Sequence, residues 1–549
     1  MVKRRYSTTG DLEWLEEDAE VFTHVNDSTD EEDASYQPKA KLSKGKNTGS
    51  KRKANQMTKD ASEEASNSSN THQTVLPHEI HPKSLHTVQS SPAMRLSLLK
   101  WYRGVHDARG MPWRKPYDPL LGRADRAQRA YEVWISEIML QQTQVVTVIP
   151  YYNRWIEKFP TICHLAAATL DEVNAIWKGL GYYSRARRLL EGAQKAVKDF
   201  SGRLPDNAKD LESHIPGIGR YSAGAISSIA YGERVPVLDG NVHRLLSRVL
   251  ALHANPKAKG TLDILWAAAA AMVESQDHTP LIQDGNQPQY AGDINQALIE
   301  LGSTVCKVRD PDCGSCPLQS WCSAFRISGT SDKQTPSTLT DIEDLCRVCE
   351  PFAEFEGVTS YPLKAERKKA REELDIVNVI EWRSLIHPES RHFLMVRRPA
   401  GGLLAGLYEF PSSVNVAKDL DQDSQSKLPN WFCSQLLEGD PPLITQVQNV
   451  GEVLHVFSHI RKTYRVQWAV LEGSEDSPPP LLMSRVAEPP MKKPKSRKSA
   501  QSGNSFTNPH DPTSAVWVPL EEVANTNMGT GVVKIWALTK KLWEEKTTG

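Results

Sequence analysis

The 549-residue chain has no apolar run that approaches the length of a bilayer-crossing helix, and nothing at its start reads as a secretory leader. It also lacks net charge. Its 66 Lys and Arg stand against 67 Asp and Glu, so no overall basic bias announces a polyanionic partner. The balance is uneven along the chain, however. Residues 101–200 hold 15 Lys and Arg against 10 Asp and Glu, which makes that stretch the expected place for phosphate contacts. Cysteine is scarce too, at eight residues. Four fall within 306–322, two stand at 346 and 349, and Cys163 and Cys433 are isolated and read as small buried hydrophobes. Such clustering suits metal sites in a reducing compartment better than a disulfide framework. No internal repeat is present.

Large apolar residues are rare over 1–90, where Ser, Thr, Asn, Lys and acids dominate. That composition cannot bury enough surface to offset ordering entropy, and a disordered tail is expected. Within it, "SKRKANQ" (Ser50 to Gln56) reads equally as a nuclear import signal or as a solvated basic run. The early acids in "DLEWLEEDAE" argue against a transit peptide. A nuclear location is therefore expected, with a mitochondrial pool left open.

From 91 to 326 apolar residues recur at helical spacing, as in "AYEVWISEIMLQQTQVVTVIPYYNRWIEKFP" and "NVHRLLSRVLAL", and an all-α domain of short helices is predicted. A connector spans 327–372. Short β-like runs then follow ("DIVNVIEW", "HFLMVRR", "RVQWAVLEG", "AVWVPLEEV"), with a closing helix over 532–545. They define a second, α/β domain over 373–549. A Pro/Ser/Lys-rich stretch at about 474–512 interrupts it and is expected to be a disordered loop.

Cys306-x6-Cys313-x2-Cys316-x5-Cys322 places four thiols in one short loop. Four thiolates suit either zinc or an iron–sulfur cluster. Zinc sites usually come as two close pairs, and here only one close pair exists, which favours a 4Fe–4S cluster. Upstream, "IPGIGRY" sets Gly217 and Gly219 in a tight turn before a helix that begins near Arg220. The two glycines allow special backbone angles and close approach. Backbone N–H groups of such a turn can face an anion such as a DNA phosphate, though a plain helix–helix corner fits the same four residues.

Taken with Glu137 in "SEIMLQQTQ", the loop of "VPVLDGNV" and the cysteine window, this turn resembles the helix-hairpin-helix DNA glycosylase superfamily that carries an iron–sulfur loop. "SEIMLQQTQV", "GLGYYSRAR", "GIGRYSAGAI" and "LDGNVHRLLSR" look like the versions found in the MutY family of adenine DNA glycosylases. The resemblance covers about 94–326 and resumes over 376–545. It implies base-excision repair by hydrolysis of the N-glycosidic bond of adenine mispaired with 8-oxoguanine or guanine. It implies double-stranded DNA as substrate, with an AP endonuclease and a sliding clamp as downstream partners. Relatives of the endonuclease III kind carry a lysine where this chain has Tyr221, and that lysine forms a Schiff base with the sugar. A phenol cannot do so, and no intrinsic lyase step is expected.

Expelling adenine leaves a poor anionic leaving group and a cationic sugar. One neutral carboxyl is needed to protonate the base and one ionised carboxylate to face the sugar of the everted nucleotide. Glu137, flanked by Ile135, Ile138 and Leu140, is the candidate acid, and partial burial is expected to keep it protonated. Asp239, in a loop at a helix start, is the candidate ionised partner. By resemblance Tyr221 and Asn241 position Glu137 and the sugar. Polar side chains at Gln141, Gln142 and Thr143 suit the gap left by the flipped base, with a solvent-exposed helix face as the alternative. The resemblance implies that Tyr182 stacks near the lesion, a core tyrosine being the alternative, and that Pro112-Trp113-Arg114 line the way to the adenine pocket.

"VRRPAGGLLAGLYEFPS" and "LHVFSHIRKTYRV" resemble the Nudix-like C-terminal domain of the same family. The stretch after Gly406 lacks the acidic cluster that a magnesium-dependent Nudix hydrolase needs, so the fold is expected to bind and not to hydrolyse. Phe457, Ser458 and His459 match the loop that reads 8-oxoguanine. Some relatives hold zinc with three connector cysteines and one histidine. Only Cys346 and Cys349 stand in this connector, with His78, His81 and His86 as candidate completing ligands. The rival expectations are an endonuclease III-type glycosylase/lyase and a non-catalytic DNA-binding scaffold. The first conflicts with Tyr221 and with the C-terminal domain, the second with the presence of both Glu137 and Asp239.

Overall fold

The computed structural model describes residues 81–88, 90–274, 290–329, 342–364, 369–399, 404–439, 443–457, 459–482 and 515–547. The expected tail as far as residue 80, with Ser50 to Gln56 and His78, lies outside the described residues. So do Ser458 and positions 483–514 of the expected insertion.

Twelve helices fill the described residues of 92–329: α1 (Pro92–Val105), α2 (Arg123–Leu140), α3 (Val145–Lys158), α4 (Ile162–Ala167), α5 (Leu170–Trp177), α6 (Ser184–Asp199), α7 (Ala208–His214), α8 (Arg220–Ile226), α9 (Gly240–Val249), α10 (Lys259–Val273), α11 (Ala291–Thr304) and α12 (Ser323–Gly329). Beyond them lie β1 (Arg371–Ser384), β2 (Arg391–Arg397), β3 (Tyr408–Glu409), β4 (Ser412–Ser413), α13 (Gln422–Leu436), β5 (Ile444–Val456), β6 (Ile460–Gly473), β7 (Ala515–Pro519), α14 (Leu520–Val523) and α15 (Thr530–Thr547). The chain divides into two compact units. One holds the described residues up to 99 with 238–272 and 296–365; the other holds 100–237, 273–295 and 366–549.

In the second unit α2 is a long helix free of Gly and Pro, and it buries Tyr131, Trp134, Ile135, Ile138 and Met139 along one stripe. Glu137 falls beside that stripe and is half-buried. The turn at 215–219 feeds α8. Gly217 has φ +79°, and a Cβ there would come within 2.7 Å of the Arg188 side chain, so glycine is required on both counts. Gly219 differs from the expectation. Its φ of −99° is ordinary extended backbone, and a Cβ would meet nothing within 4 Å. Past Ile226 the helix widens into a π turn over Ser227–Tyr231.

The C-terminal sheet runs in the order β3-β2-β1-β6-β5, with β4 on β1 and β7 on β2. The β1–β6 pair is parallel along 14 residues, and the other pairs are antiparallel. β1 is buried on both faces, as its nearly continuous apolar run requires. Val377 and Val379 pack toward Trp536 of α15, while Ile380 and Trp382 pack toward Phe432 of α13. Residues 474–482, the start of the expected insertion, are tied to this domain. Glu438 N donates to Pro480 O at 2.9 Å, Leu482 N to Leu436 O at 2.9 Å, and Trp517 Nε1 to Pro479 O at 2.9 Å. Cys433 is buried, as expected, but Cys163 is exposed, because its position on the short helix α4 faces outward.

The β5–β6 hairpin is anchored close to its turn by a buried charge cluster. Lys462 Nζ lies 2.7 Å from Asp375 Oδ2 and 3.0 Å from Glu373 Oε2, with all three side chains less than a tenth exposed. Removing the cation would leave two carboxylates buried together. Lys462→Met is expected to destabilise the C-terminal domain by about 3–5 kcal/mol, measured as a lowered midpoint in urea followed by the tryptophan signal.

Candidate active site and metal centres

Tyr221 is the second residue of α8, and its hydroxyl donates to Glu137 Oε2 at 2.7 Å. The contact joins residues 84 apart in sequence. It exists because α8 leaves the Gly217 turn directly against α2.

In the other unit, Asp239 caps the N-terminus of α9. Its Oδ1 accepts from Val242 N at 2.7 Å, and its Oδ2 accepts from Asn241 Nδ2 at 2.9 Å. Asn241 in turn accepts from Arg244 Nη2 at 3.0 Å. Arg244 also donates to Gly302 O at 2.7 Å and to Cys306 O at 3.0 Å. One turn later Arg248 donates to Cys306 Sγ at 3.3 Å, Lys307 O at 2.6 Å, Val308 O at 3.0 Å and Tyr361 O at 3.1 Å. A single helix thus connects Asp239 to the first cysteine of the loop. Burial pushes the Asp239 carboxyl above the usual aspartate range, although the Val242 N–H, the Asn241 amide and Arg244 all oppose it. The side chain keeps some contact with solvent by area but is deeply surrounded by protein atoms, and depth governs the cost of its charge. This modifies the expected picture of a carboxylate favoured simply by helix N–H donors.

Cys306, Cys313, Cys316 and Cys322 line one small pocket, partly open to solvent, with Leu245, Arg248 and Leu318 among its walls. Burial raises the Cys316 thiol to about 12 and the Cys322 thiol to about 11. Only a positively charged metal group would draw their protons off at neutral pH. Among the described residues, the group whose ligand atoms all lie within 4.8 Å of one another is a different one: His81, His86, Cys346 and Cys349.

The second group fits a single tetrahedral ion. His81 Nε2 and His86 Nε2 are 3.0 Å apart, and Cys349 Sγ is 3.3 Å from His86 Nε2. His86 Nδ1 lies 2.9 Å from Leu250 O. A carbonyl only accepts, so Nδ1 carries the proton and Nε2 is left as the donor toward a metal. Burial also lowers the His86 pKa, which keeps the ring neutral. Cys346 N donates to His81 O at 2.9 Å, which holds the two strips of chain together. Two of the three candidate histidines, His81 and His86, stand with the two cysteines, where the expected pattern was three cysteines and one histidine.

Gln141 and Gln142 are exposed at the end of α2, where Gln142 has φ +54°, and Thr143 is half-buried. Tyr182 is 47% exposed with φ +48°, in a turn where Gly179 and Gly181 also have positive φ. Arg185, which sequence reading passed over, binds these pieces together. Its Nη1 donates to Ile138 O at 2.9 Å and to the carbonyls of Met139 and Gln141. Its Nη2 donates to the carbonyls of Leu180 and Gly181. The guanidinium also lies 5.3 Å from the Tyr182 ring centre. Burial lowers its pKa to about 10, so it stays charged. The only sequence signal for it was an arginine on the buried face of α6. Arg114 stands apart from this group, with its Nη1 on His106 O at 3.4 Å and its guanidinium over the Tyr102 ring. Phe457 and His459 flank the β5–β6 turn. Phe457 is half-buried, 4.5 Å from the His455 ring, and His459 is exposed.

Residues 135–270 match the helix-hairpin-helix superfamily of base excision DNA repair proteins, and residues 384–538 match the NUDIX domain. The fold and site therefore define an enzyme of the DNA glycosylase class. The chain is 42% identical over 395 residues to the human adenine DNA glycosylase, covering 69% of this chain and 67% of that protein. It is 42% identical to the rat enzyme, covering 69% and 71%, and 37% identical to that of Arabidopsis thaliana, covering 72% and 60%. It belongs to the adenine DNA glycosylase family.

Because Asp239 must ionise against burial, its charged fraction grows only as pH climbs past the ordinary aspartate range. Base release should therefore fall on the acid side at a higher pH than a free carboxylate would give. Asn241→Ala removes one donor to the carboxylate and should move that limb further up. The check is single-turnover base release from pH 4 to 8. The same rise means that Asp239 withdraws fold stability as pH passes upward through its folded value. Tyr221→Phe removes the hydroxyl from Glu137 and should slow base release about tenfold, with DNA affinity unchanged in a gel-shift titration.

Proposed function

We propose that the chain removes adenine mispaired with 8-oxoguanine, or with guanine, by hydrolysing its N-glycosidic bond without an intrinsic lyase step. The observation that carries this reading is the Tyr221–Glu137 hydrogen bond. The residue at the lyase position is a phenol spent on holding a carboxyl, and it offers no amine to the sugar. In this reading Glu137 gives its proton to the departing base, which the enzyme holds outside the duplex. Asp239, ionised, faces the positive charge that develops on the sugar, and Asn241 fixes its orientation. Gln141, Gln142 and Thr143 occupy the gap in the duplex, Tyr182 stacks at the lesion, and the Gly217–Gly219 turn and Arg114 contact the strand. Phe457, Ser458 and His459 read the oxidised base opposite. The half-buried ring of Phe457 at a hairpin tip supports the last role, because an ordinary core phenylalanine would be enclosed by its sheet.

Cys306, Cys313, Cys316 and Cys322 would hold a 4Fe–4S cluster, which would supply a structural anchor for the loop. His81, His86, Cys346 and Cys349 would hold zinc, which ties the segment before α1 to the connector. The full protein acts on duplex DNA in the nucleus, and an AP endonuclease and a sliding clamp would follow it.

The deciding experiment is single-turnover base release on A:8-oxoguanine, A:G and A:C duplexes. Release fastest from A:8-oxoguanine, lost in Glu137→Gln, with no borohydride-trapped adduct, is the expected result. Equal rates on all three would remove the 8-oxoguanine assignment, and a trapped adduct would remove the monofunctional one. Metal analysis should give about four irons per chain and zinc besides, with His86→Ala losing zinc while keeping the iron absorbance. Iron alone in the parent protein would end the zinc assignment.

A further inference from the structure

Within the second unit, both ends of α5 are bound to the C-terminal domain by polar contacts. At its start, Asp171 Oδ1 accepts from Arg397 Nη2 at 2.7 Å, and Asp171 O accepts from Asn527 Nδ2 at 3.0 Å. Just past its end, Lys178 Nζ donates to Ala524 O at 2.6 Å and Thr526 O at 3.1 Å. The acceptors belong to one loop, 524–527, immediately after α14. That loop is in turn fixed to β3, where Tyr408 N donates to Asn527 O at 2.8 Å.

Lys178 also opens the segment that presents Tyr182. Its carbonyl accepts from Tyr151 Oη at 2.8 Å, and Trp177 Nε1 donates to Gly181 O at 2.8 Å. The next four residues carry three positive φ values, so the turn has little slack of its own. Arg185 grips the same turn from the α2 side. The Tyr182 turn is therefore held by two cations, one from the α2 end and one whose partners all lie in the C-terminal domain.

We propose that Lys178 is a positioning residue that conveys the seating of the C-terminal domain to the Tyr182 turn, so that reading the opposite base and stacking at the lesion are set together. The inference rests on the reading under Proposed function. The contacts suit a seat that can loosen. They are charge-assisted, half-exposed and directed mostly at backbone carbonyls, and contacts of that kind are individually modest and weakened by salt.

The test uses the full chain and its Lys178→Met, Lys178→Arg and Asn527→Ala variants. Titrations and single-turnover base release are run on A:8-oxoguanine and A:G duplexes at low and moderate salt. Lys178→Met should bind A:8-oxoguanine about three- to tenfold more weakly and lose a matching share of its discrimination over A:G. Its base-release rate at saturating enzyme should stay within about twofold of the parent. Asn527→Ala should repeat the effect from the other side, Lys178→Arg should restore most of it, and salt should bring the parent toward Lys178→Met. Amide exchange across 179–183 should quicken in Lys178→Met. Unchanged discrimination together with unchanged exchange overturns the proposal. So does an equal loss of binding and rate on both duplexes alongside a lowered melting temperature, which would mark a purely structural lysine. If the parent itself does not discriminate between the duplexes, the 8-oxoguanine reading is what fails, and the exchange measurement alone then decides for or against the coupling.

Discussion

The hydrogen bond from Tyr221 to Glu137 is the contact on which the proposed chemistry turns. It needs a carboxyl at one defined place on α2 and a hydroxyl one residue into α8. The chain reverses between α7 and α8 through a turn that only glycine at 217 permits, because its φ is positive and Arg188 occupies the space of a side chain. A longer loop would leave the tyrosine free to miss its partner. The tight turn converts a sequence separation of 84 residues into a 2.7 Å contact.

α9 performs a comparable task with different means. Its first turn holds Asp239 through the Val242 N–H and the Asn241 amide, and its second and third turns send Arg244 and Arg248 to the backbone around Cys306. The helix is short and almost wholly buried, so displacing the cysteine loop would drag the cap with it. This gives a metal group in that loop a structural bearing on the carboxylate without any part in bond breaking. Both arginines donate mainly to carbonyls, which a lysine cannot do with the same fork geometry.

Charge inside the C-terminal sheet is used for registration. Lys462 lies between Asp375 and Glu373, and Glu381 is fully buried with Arg383 and Trp468 as its donors. Both clusters bridge β1 and β6, the long parallel pair from which the Phe457 hairpin projects. Replacing every member of a cluster by apolar residues would hold the strands as firmly but would fix their register less strictly. Arg397 and the 524–527 loop carry the same polar style outward to α5, where contacts are weaker because water competes for them.

The sequence by itself determined the helical and sheet-containing halves, the cysteine loop, and the residues proposed for the chemistry. Helical spacing and period-two runs are local properties, and Glu137, Tyr221 and Asp239 sit in motifs readable over ten residues. It offered His78, His81 and His86 as candidates to complete the connector's metal site, but local sequence could not say which of them reach Cys346 and Cys349. Only the tertiary structure decided that His81 and His86 meet Cys346 and Cys349, that Arg185 clasps the end of α2 to the Tyr182 turn, and that Gly219 is under no backbone constraint. It also turned Asp239 from a plainly favoured carboxylate into one that ionises against burial, and moved Cys163 from core to surface. Each of these depends on which distant atoms surround a side chain, and burial and partner geometry are set by chain folding and not by neighbours in sequence.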